Sequence, residues 1–278
     1  MVDFVVTRPD SPTGRGRVMT PSPVAEFAAE HDIRVIKTSQ LSEHAHEFAG
    51  LDAVVVVAFG GMVPVELLDV PTHGWINLHF SLLPTWRGAA PVQYAILSGD
   101  DHTGVTVFRI DEGLDTGPVL GQVSTDLGAQ ETAGELLVRL TEYSTPLMLQ
   151  VLDGLETGQV FAAPQSVHNL SHAPKITKDD ARIVWGHPAL AVARRIRAVT
   201  PAPGAWTMAG DDRIKVAPVV LCPEVTDLAP GQIRIHDGVV LVGTGTHAVE
   251  LVQIQRPGKT MAEPYSWIAS ATDELMFS

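Results

Sequence analysis

The chain has 278 residues, of which 45% are hydrophobic and 18% charged, a composition typical of folded soluble proteins rather than of disordered or collagen-like chains. That length allows one large domain or two ordinary domains, each with its own hydrophobic core. The formal net charge of −13 argues, as an average, against a partner that is recognised through phosphate groups.

The charge is unevenly distributed along the chain. Residues 1–165 hold 8 Lys and Arg against 21 Asp and Glu, whereas residues 166–278 hold 11 of each. The negative excess therefore belongs to the first part, and the neutral second part still allows a nucleic acid partner if its positive charge is clustered.

The cysteine content and the hydropathy pattern indicate in which cellular compartment the protein is expected. Cys222 is the only cysteine, so no intrachain disulfide can form, which suits a reducing environment. The longest dense apolar run, Leu51 to Phe59, is far shorter than the roughly 20 residues of a membrane span, and the first residues lack a signal-peptide pattern. We expect a cytoplasmic protein with no membrane contact.

The first half of the chain alternates strand-like and helix-like patterns, which predicts an α/β domain built on a parallel sheet. The predicted strands are Val2–Thr7, Arg34–Thr38, Ala53–Phe59, Gly74–Leu78 and Gly104–Arg109. The predicted helices are Pro23–His31, Val92–Ser98 and Ala133–Leu155. The first opens at Ser22 with Pro23 at its first position, and the third begins behind Thr132.

The second half has a different organisation. The stretch from Thr157 to Lys178 contains Gly158, Pro164 and Pro174 without a sustained period and is interpreted as a linker. The helix Ala189–Val199 comes next, and several short strand patterns then predict a small β-barrel: Trp206–Ala209, Arg213–Leu221, Gly231–His236, Val239–Gly243 and Val249–Gln255. We therefore expect a domain over residues 1–158, a linker over 159–177 and a second domain over 178–278.

The sequence does not predict a metal or a dinucleotide site. His168 and His172 stand four residues apart, but they lie in the linker without a nearby cysteine or carboxylate. Gly243-Thr-Gly245-Thr-His-Ala248 fits the dinucleotide fingerprint as a string, yet a strand follows it where phosphate binding requires the N-terminus of a helix.

Two polar clusters follow predicted strands of the first domain. Asn77 and His79 are two residues apart at the end of a strand, so their side chains point to one face. Asp111 and Asp115 lie in a glycine-rich segment after another strand. Ligands of open α/β sheets gather at the carboxyl ends of strands. The alternative that these side chains only satisfy loop backbone groups stays open from the residues alone.

Taken together, the two clusters favour one kind of reaction. A histidine with an aspartate partner can be held in one protonation state, and an asparagine amide supplies a further hydrogen-bond donor to a developing oxyanion. Because no activated serine or cysteine nucleophile is evident, direct transfer between two bound substrates is favoured over a covalent enzyme intermediate.

These residues strongly resemble the formyltransferases that use 10-formyltetrahydrofolate. The resemblance is carried by Asn77-x-His79-x-Ser81-Leu-Leu-Pro84 and by Asp111-x-Gly113-x-Asp115-Thr-Gly117. Segments that begin at Thr7, Lys175 and Ile196 are similar to the branch of this superfamily that acts on methionyl-tRNA, and the similarity covers almost the entire chain.

The resemblance implies a Rossmann-like parallel-sheet formyltransferase domain followed by a small OB-fold-like barrel that binds tRNA. It also implies transfer of a formyl group from 10-formyltetrahydrofolate to methionyl-initiator tRNA in translation initiation, without a metal and by a monomer. Asn77 and His79 would stabilise the oxyanion, and Asp115 would hold the imidazole and help to remove the amine proton.

Further positions are assigned to binding by the same resemblance. The folate pocket would be bordered by Phe59, Gly60, Gly61, Met62, Ser81, Leu82, Leu83 and Pro84. An inserted loop and a basic stripe would contact the tRNA through Arg8, Arg15, Arg17, Lys175, Lys178, Arg182, Arg194, Arg195 and Arg197.

The resemblance departs from the family pattern at the start of the chain. Family members begin with a further strand and helix before the segment that matches Val2–Thr7, and that strand normally lies within the sheet. We expect its loss to leave unpaired backbone groups. A start codon placed too far downstream and a shortened homologue are the two explanations.

Two alternative functions remain from the sequence. The first half would also suit a metabolite N-formyltransferase that acts on an amino sugar, although such a substrate needs no basic C-terminal surface. A truncated, non-catalytic tRNA-binding homologue is the alternative from a different class.

Overall fold

The computed structural model describes residues 1–13, 16–270 and 276–278. The first elements in chain order are β1 (Phe4–Thr7), β2 (Ser11–Thr13), β3 (Val18–Thr20), α1 (Pro23–Glu30) and β4 (Arg34–Lys37). β1 and β4 form a parallel pair, and β2 and β3 form an antiparallel hairpin. Ser22 caps α1 by accepting a hydrogen bond from the backbone N–H of Ala25, as its position before Pro23 predicts.

A four-stranded sheet forms the centre of the first half. Its elements are β5 (Val54–Val57), β6 (Trp75–His79), α2 (Pro91–Ser98), β7 (His102–Arg109), β8 (Val119–Asp126) and α3 (Ala133–Glu156). The strand order is β5-β6-β7-β8. Among the described residues β1 does not pair with β5, where Val55 and Val57 are about half exposed.

The sheet is mixed, whereas the sequence predicts a parallel one. β5 and β6 are parallel, but β7 runs antiparallel to β6, and β8 runs antiparallel to β7. A strand buried on both faces reads as a continuous apolar run in either direction, so the pattern of Gly104–Arg109 cannot reveal its orientation. β8 has no counterpart among the predicted strands, because Gly121, Gln122 and Ser124 dilute its apolar signal.

Helix α3 covers one face of the sheet. Thr132 and Glu135 form a reciprocal capping box at its start. Its buried residues Leu136, Leu140, Leu147 and Val151 recur at helical spacing and share a core cluster with β6 and β7. The predicted long helix is therefore present within one residue of its expected ends.

The C-terminal half is rich in β-structure. Its elements are α4 (Ala189–Ala198), β9 (Trp206–Ala209), β10 (Asp212–Val216), β11 (Val220–Cys222), β12 (Ile233–His236), β13 (Val239–Val242), β14 (Ala248–Glu250), β15 (Ile254–Gln255) and α5 (Tyr265–Ala269). Two antiparallel sheets have the orders β15-β10-β9 and β11-β14-β13-β12. One core cluster, drawn from residues 181–277, lies beneath them.

Two predicted strands are each divided in the structure. The stretch predicted as Arg213–Leu221 leaves one sheet after Val216 and enters the other at Val220. Pro218 lies in the gap and has no backbone N–H to donate to a ladder. The stretch predicted as Val249–Gln255 also changes sheets, between β14 and β15. No helix in the described part of the chain is long and apolar enough to cross a membrane.

Candidate active site

Asn77 and His79 lie at alternate positions on β6, between β5 and β7. Asn77 is half-buried and His79 is buried. Because side chains two residues apart in a strand leave the same face, both point to one side of the sheet. Among the described residues, no protein group forms a hydrogen bond with the Asn77 carboxamide, so its donors remain free for a ligand.

The His79 ring is held by one backbone carbonyl and faces one carboxylate. Its Nε2 atom lies 2.9 Å from the carbonyl oxygen of Trp86, and its Nδ1 atom lies 3.7 Å from Oδ2 of Asp115. Burial lowers the pKa of His79, although the Asp115 carboxylate and the Trp86 carbonyl oppose that shift. In the neutral ring Nε2 therefore carries the proton and donates to Trp86, while Nδ1 is a free proton acceptor.

Asp115 lies in an ordered loop, and its carboxylate is held by a backbone N–H from another segment. Its backbone lies in the left-handed region at φ +52°, which aspartate tolerates better than most residues. The carboxylate of Asp111 accepts hydrogen bonds from the Gly113 N–H and the Thr116 hydroxyl, which orders the loop. Oδ2 of Asp115 accepts a 2.7 Å hydrogen bond from the Gly88 N–H.

The linker passes directly beside these loops. Ser171 accepts hydrogen bonds from the N–H of Trp86, through its hydroxyl, and of Arg87, through its carbonyl. The Ala173 N–H donates to the Arg87 carbonyl, and the Ala173 carbonyl accepts from the Ala90 N–H. A Cβ atom at Gly88 would lie 2.7 Å from the carbonyl oxygen of Ala173, so this approach requires glycine.

Gln165 in the linker contacts two segments of the site at once. Its Oε1 atom accepts hydrogen bonds from Nε and Nη2 of Arg87, at 3.1 and 2.6 Å. Its Nε2 atom donates to the carbonyl oxygens of Asp115 and Gly117, both at 2.8 Å. The sequence analysis missed this residue, because nothing local to the linker marks it.

The segment Ser81–Pro84 is held from the neighbouring strands. The buried hydroxyl of Thr106 donates to the Ser81 carbonyl and accepts from the Leu83 N–H. Gln122 donates to the Leu83 carbonyl and to the Thr106 hydroxyl. Sequence reasoning missed both supports, although a threonine in the middle of a buried apolar strand is a usable signal.

Within Ser81–Pro84, the Ser81 hydroxyl is already used, since it donates to the Thr85 carbonyl. Ser81, Leu83 and Pro84 are buried, whereas Leu82 is partly exposed. The other segment predicted to border the folate follows β5. Phe59 is half-buried, Gly60 and Gly61 are exposed, and Met62 exposes 62% of its surface.

The arrangement can carry out a transfer between two ligands. It offers free amide donors at Asn77, a proton acceptor at Nδ1 of His79 and a carboxylate positioned to stabilise the protonated ring. In the part of the chain that is described, no group of three or more His, Cys, Asp or Glu side chains is placed to hold a metal ion.

Two of the predicted tRNA contacts near the N-terminus are described: Arg8 lies between β1 and β2, and Arg17 lies just before β3. Arg8 is exposed and donates to the Pro9 carbonyl and the Ser11 hydroxyl. Arg17 is exposed in the turn, with a left-handed backbone at φ +47°. Arg15 lies outside the described residues.

The residues of the predicted basic stripe differ in exposure. The stripe consists of Lys175, Lys178, Arg182, Arg194, Arg195 and Arg197. Lys175, Lys178 and Arg182 are exposed. Arg194 donates to the Ser98 carbonyl at the end of α2, and Arg195 donates to the Asp180 carbonyl. These two side chains thus serve partly as internal contacts.

Arg197 differs from the expectation of a tRNA contact, because it is buried. Its guanidinium donates to the Glu131 carbonyl just before α3. Burial and the nearby Arg194 lower the pKa of Arg197. Helix α4 also packs against α2. The buried Arg197 guanidinium cannot reach a partner unless its contact with Glu131 is broken.

A basic cleft that the sequence analysis missed lies in the C-terminal half. Its cavity has a volume of about 390 Å³ and combines positions far apart in sequence. The basic residues that line it are Lys178, Arg213, Lys215 and Arg256. Arg213 also lies over the Trp206 ring, 4.0 Å from its centroid. Only Lys178 was among the predicted contacts, since strand periodicity does not show which exposed charges meet.

Comparison with known proteins identifies relatives of both halves of the chain. The family model described as "Formyl transferase" matches residues 1–152, and the one described as "Formyl transferase, C-terminal domain" matches residues 175–272.

Two similar curated proteins are methionyl-tRNA formyltransferases. A methionyl-tRNA formyltransferase of Paenarthrobacter aurescens is 52% identical over 268 residues, which cover 95% of this chain and 87% of the relative. A methionyl-tRNA formyltransferase of Rhodococcus erythropolis is 51% identical over 271 residues, covering 96% and 88%.

A solved structure shares the fold at low identity. The sugar 3N-formyl transferase WlaRD, crystallised in the presence of dTDP and 5-N-formyl-THF, superimposes with a TM-score of 0.69 and 17% identity. The match covers 92% of this chain and 88% of that one.

Proposed function

The chain belongs to the formyl transferase family in both its N-terminal and its C-terminal part, and on that premise we propose that it formylates methionyl-initiator tRNA with 10-formyltetrahydrofolate. The observation that carries this proposal is the identity of about one half to methionyl-tRNA formyltransferases over some 95% of the chain. Because that identity extends through the C-terminal half, it favours a tRNA substrate over an amino sugar.

The finer architecture is part of the proposal. We infer a Rossmann-like domain over residues 1–158, a linker over 159–177 and an OB-fold-like domain over 178–278. We also propose that the protein is a monomer. The cytoplasm is the proposed location, since aminoacylated tRNA is the substrate.

The residues after β5 and β6 fit a folate. The exposed Met62, the half-buried Phe59 and the bare backbone of Gly60 and Gly61 suit a flat ring system that needs apolar contact and close approach. Ser81–Pro84, held by Thr106, gives the opposite border. The structural neighbour with 5-N-formyl-THF adds support for this class of ligand.

Bound 10-formyltetrahydrofolate supplies the formyl carbon, and its bond to the folate nitrogen breaks as the methionine amine forms the new C–N bond. Asn77 donates its amide N–H to the formyl oxygen and stabilises the negative charge that develops there. His79 accepts the amine proton at Nδ1, since its Nε2–H is already donated to Trp86.

Asp115 stabilises the resulting imidazolium from 3.7 Å. The protonated His79 can then donate to the formyl oxygen and return the proton to the departing folate nitrogen. The sequence-based expectation that His79 stabilises the oxyanion therefore applies to its protonated form.

Several exposed cations support binding of the tRNA. Lys178, Arg213, Lys215 and Arg256 line one cleft, where the spacing of several positive charges suits a phosphate backbone. Arg8, just before the β2–β3 hairpin, and Arg17, in its turn, offer a second set of contacts. The net charge of −13 thus coexists with local basic surfaces.

The proposal is tested by incubating the purified chain with methionyl-initiator tRNA and 10-formyltetrahydrofolate and measuring formylmethionyl-tRNA. We expect turnover by the wild type, and we expect His79→Ala to lose turnover while it keeps its affinity for tRNA. Formylation of a nucleotide-linked amino sugar but not of the tRNA would favour the metabolite alternative. Binding of tRNA by the wild type without turnover would favour the non-catalytic alternative.

A further inference from the structure

Gln165 makes four hydrogen bonds that join both segments around His79. Its Oε1 atom accepts from Arg87, which directly follows the residue whose carbonyl holds Nε2 of His79. Its Nε2 atom donates to the carbonyls of Asp115 and Gly117. One linker side chain thus spans the two chain segments that supply partners to the catalytic imidazole.

The chemistry of these partners fixes the orientation of the Gln165 amide. A guanidinium only donates and a backbone carbonyl only accepts, so Oε1 must face Arg87 and Nε2 must face the loop. A glutamate would keep the Arg87 contact but would turn an oxygen toward two carbonyl oxygens. A methionine of similar length would lose both sets of hydrogen bonds.

The contact matters for the position of Asp115. This residue has a left-handed backbone, and Gln165 holds its carbonyl directly. The Asp111 carboxylate holds the loop through Gly113 and Thr116 but makes no contact with that carbonyl among the described residues. Without Gln165, the Asp115 and Gly117 carbonyls lose their amide donor, and the loop is free to relax.

We propose that Gln165 is a positioning residue for formyl transfer, which acts by holding Asp115 against His79. This inference rests on the proposed function. The linker then contributes a residue that positions the catalytic site, in addition to joining the two domains.

The first test compares Gln165→Glu with Gln159→Glu. Gln159 is an exposed residue of the same linker, and its replacement makes the same change of charge. We expect Gln165→Glu to lower kcat by about tenfold or more, with little change in the KM for tRNA or for 10-formyltetrahydrofolate. The melting temperature should also change little, because Arg87 still pairs with the new carboxylate. Gln159→Glu should match the wild type. An unchanged kcat in Gln165→Glu would overturn the proposal.

The second test is a double-mutant cycle with Asp115→Asn. If Gln165 acts through Asp115, adding Gln165→Glu to Asp115→Asn should cost little further activity. An equal fold loss in both backgrounds would show that Gln165 acts independently of Asp115, which contradicts the proposal.

The third test needs no substrate and so separates this inference from the proposed function. The imidazole of His79 is titrated by NMR in the wild type and in the uncharged variant Gln165→Met. Because Asp115 raises the pKa of His79, its displacement should move the titration to lower pH. An unchanged titration of His79 in Gln165→Met would refute the role of Gln165, whether or not the wild type formylates tRNA. If the titration shifts as expected but the wild type formylates no tRNA, only the proposed function is contradicted.

Discussion

Oδ2 of Asp115 lies 3.7 Å from Nδ1 of His79, and the same oxygen accepts a 2.7 Å hydrogen bond from the Gly88 N–H. The carboxylate is therefore anchored beside the imidazole while the ring remains neutral. Burial lowers the pKa of His79 and keeps Nδ1 unprotonated at neutral pH. The pair is arranged so that a proton arriving at Nδ1 meets a fixed negative charge.

Replacing Asp115 by Asn should affect both the rate and its pH dependence. We expect formyl transfer to fall by up to about 10²–10⁴-fold, the range for loss of acid–base catalysis, because His79 loses the charge that stabilises its protonated form. Since Asp115 raises the pKa of His79, its removal lowers that pKa further. His79 then becomes protonated only at lower pH, so the low-pH limb of the kcat/KM profile should move to lower pH.

A pH series of kcat/KM for the wild type and Asp115→Asn measures both effects. Asp101→Asn is a matched control, because this aspartate is exposed and the same charge is removed. An acidic limb that stays in place in Asp115→Asn would contradict the coupling between the two residues.

Thr106 should matter for both stability and folate binding. Thr106→Val removes the partners of the Ser81 carbonyl and the Leu83 N–H in a buried setting. We expect the free energy of unfolding to fall by about 1–3 kcal/mol and the KM for 10-formyltetrahydrofolate to rise. Urea unfolding and initial-rate kinetics measure the two quantities.

Thr106→Ser keeps the hydroxyl and provides the control. It should retain most of the folate affinity of the wild type. A larger defect in the serine variant than in the valine variant would show that packing of the methyl group, rather than the hydrogen bonds, supports Ser81–Pro84.

The basic cleft should determine the salt dependence of tRNA binding. Replacing Arg213 and Lys215 together by Glu should weaken binding and lower the slope of log Kd against log salt by about one for each lost phosphate contact. Binding titrations at several salt concentrations test this. The control is Arg234→Ala, which removes a cation already paired with Asp227. Similar slopes for wild type and the double variant would exclude this cleft from the interface.

Arg197 should behave as a structural residue. Arg197→Ala removes a charged hydrogen bond to the Glu131 carbonyl, so we expect a loss of about 1.5–3 kcal/mol in unfolding free energy. The salt slope of tRNA binding should match that of the wild type. A reduced slope with unchanged stability would restore Arg197 to the tRNA-binding surface.

The elements that could be predicted from sequence are those with local signals. Thr132 and the periodic leucines mark α3, and Ser22 with Pro23 marks the start of α1. The direction of β7 could not be predicted, because apolar runs are alike in parallel and antiparallel sheets. Pro218 is a local signal for the break between β10 and β11, but the β-branched and apolar residues on both sides of it predict one continuous strand.

The same distinction applies to the site. Asn77, His79 and Asp115 stand in recognisable motifs, and the structure brings His79 and Asp115 together. Gln165 stands in an irregular segment, and its partners lie about 50 and 80 positions earlier in the chain. The sequence does not show that Arg197 is buried while Arg194 is only partly buried, because burial depends on how α4 packs against the rest of the protein.

The backbone pairing of Ala173 with Arg87 has a consequence for dissecting the protein. A recombinant catalytic fragment that stops near the end of α3 would leave Trp86, Arg87 and Ala90 without their linker partners. A fragment that continues through Ala173 would keep them. The functional boundary for chimeras between homologues therefore lies after Ala173, within the interval between residues 152 and 175 that neither family model covers.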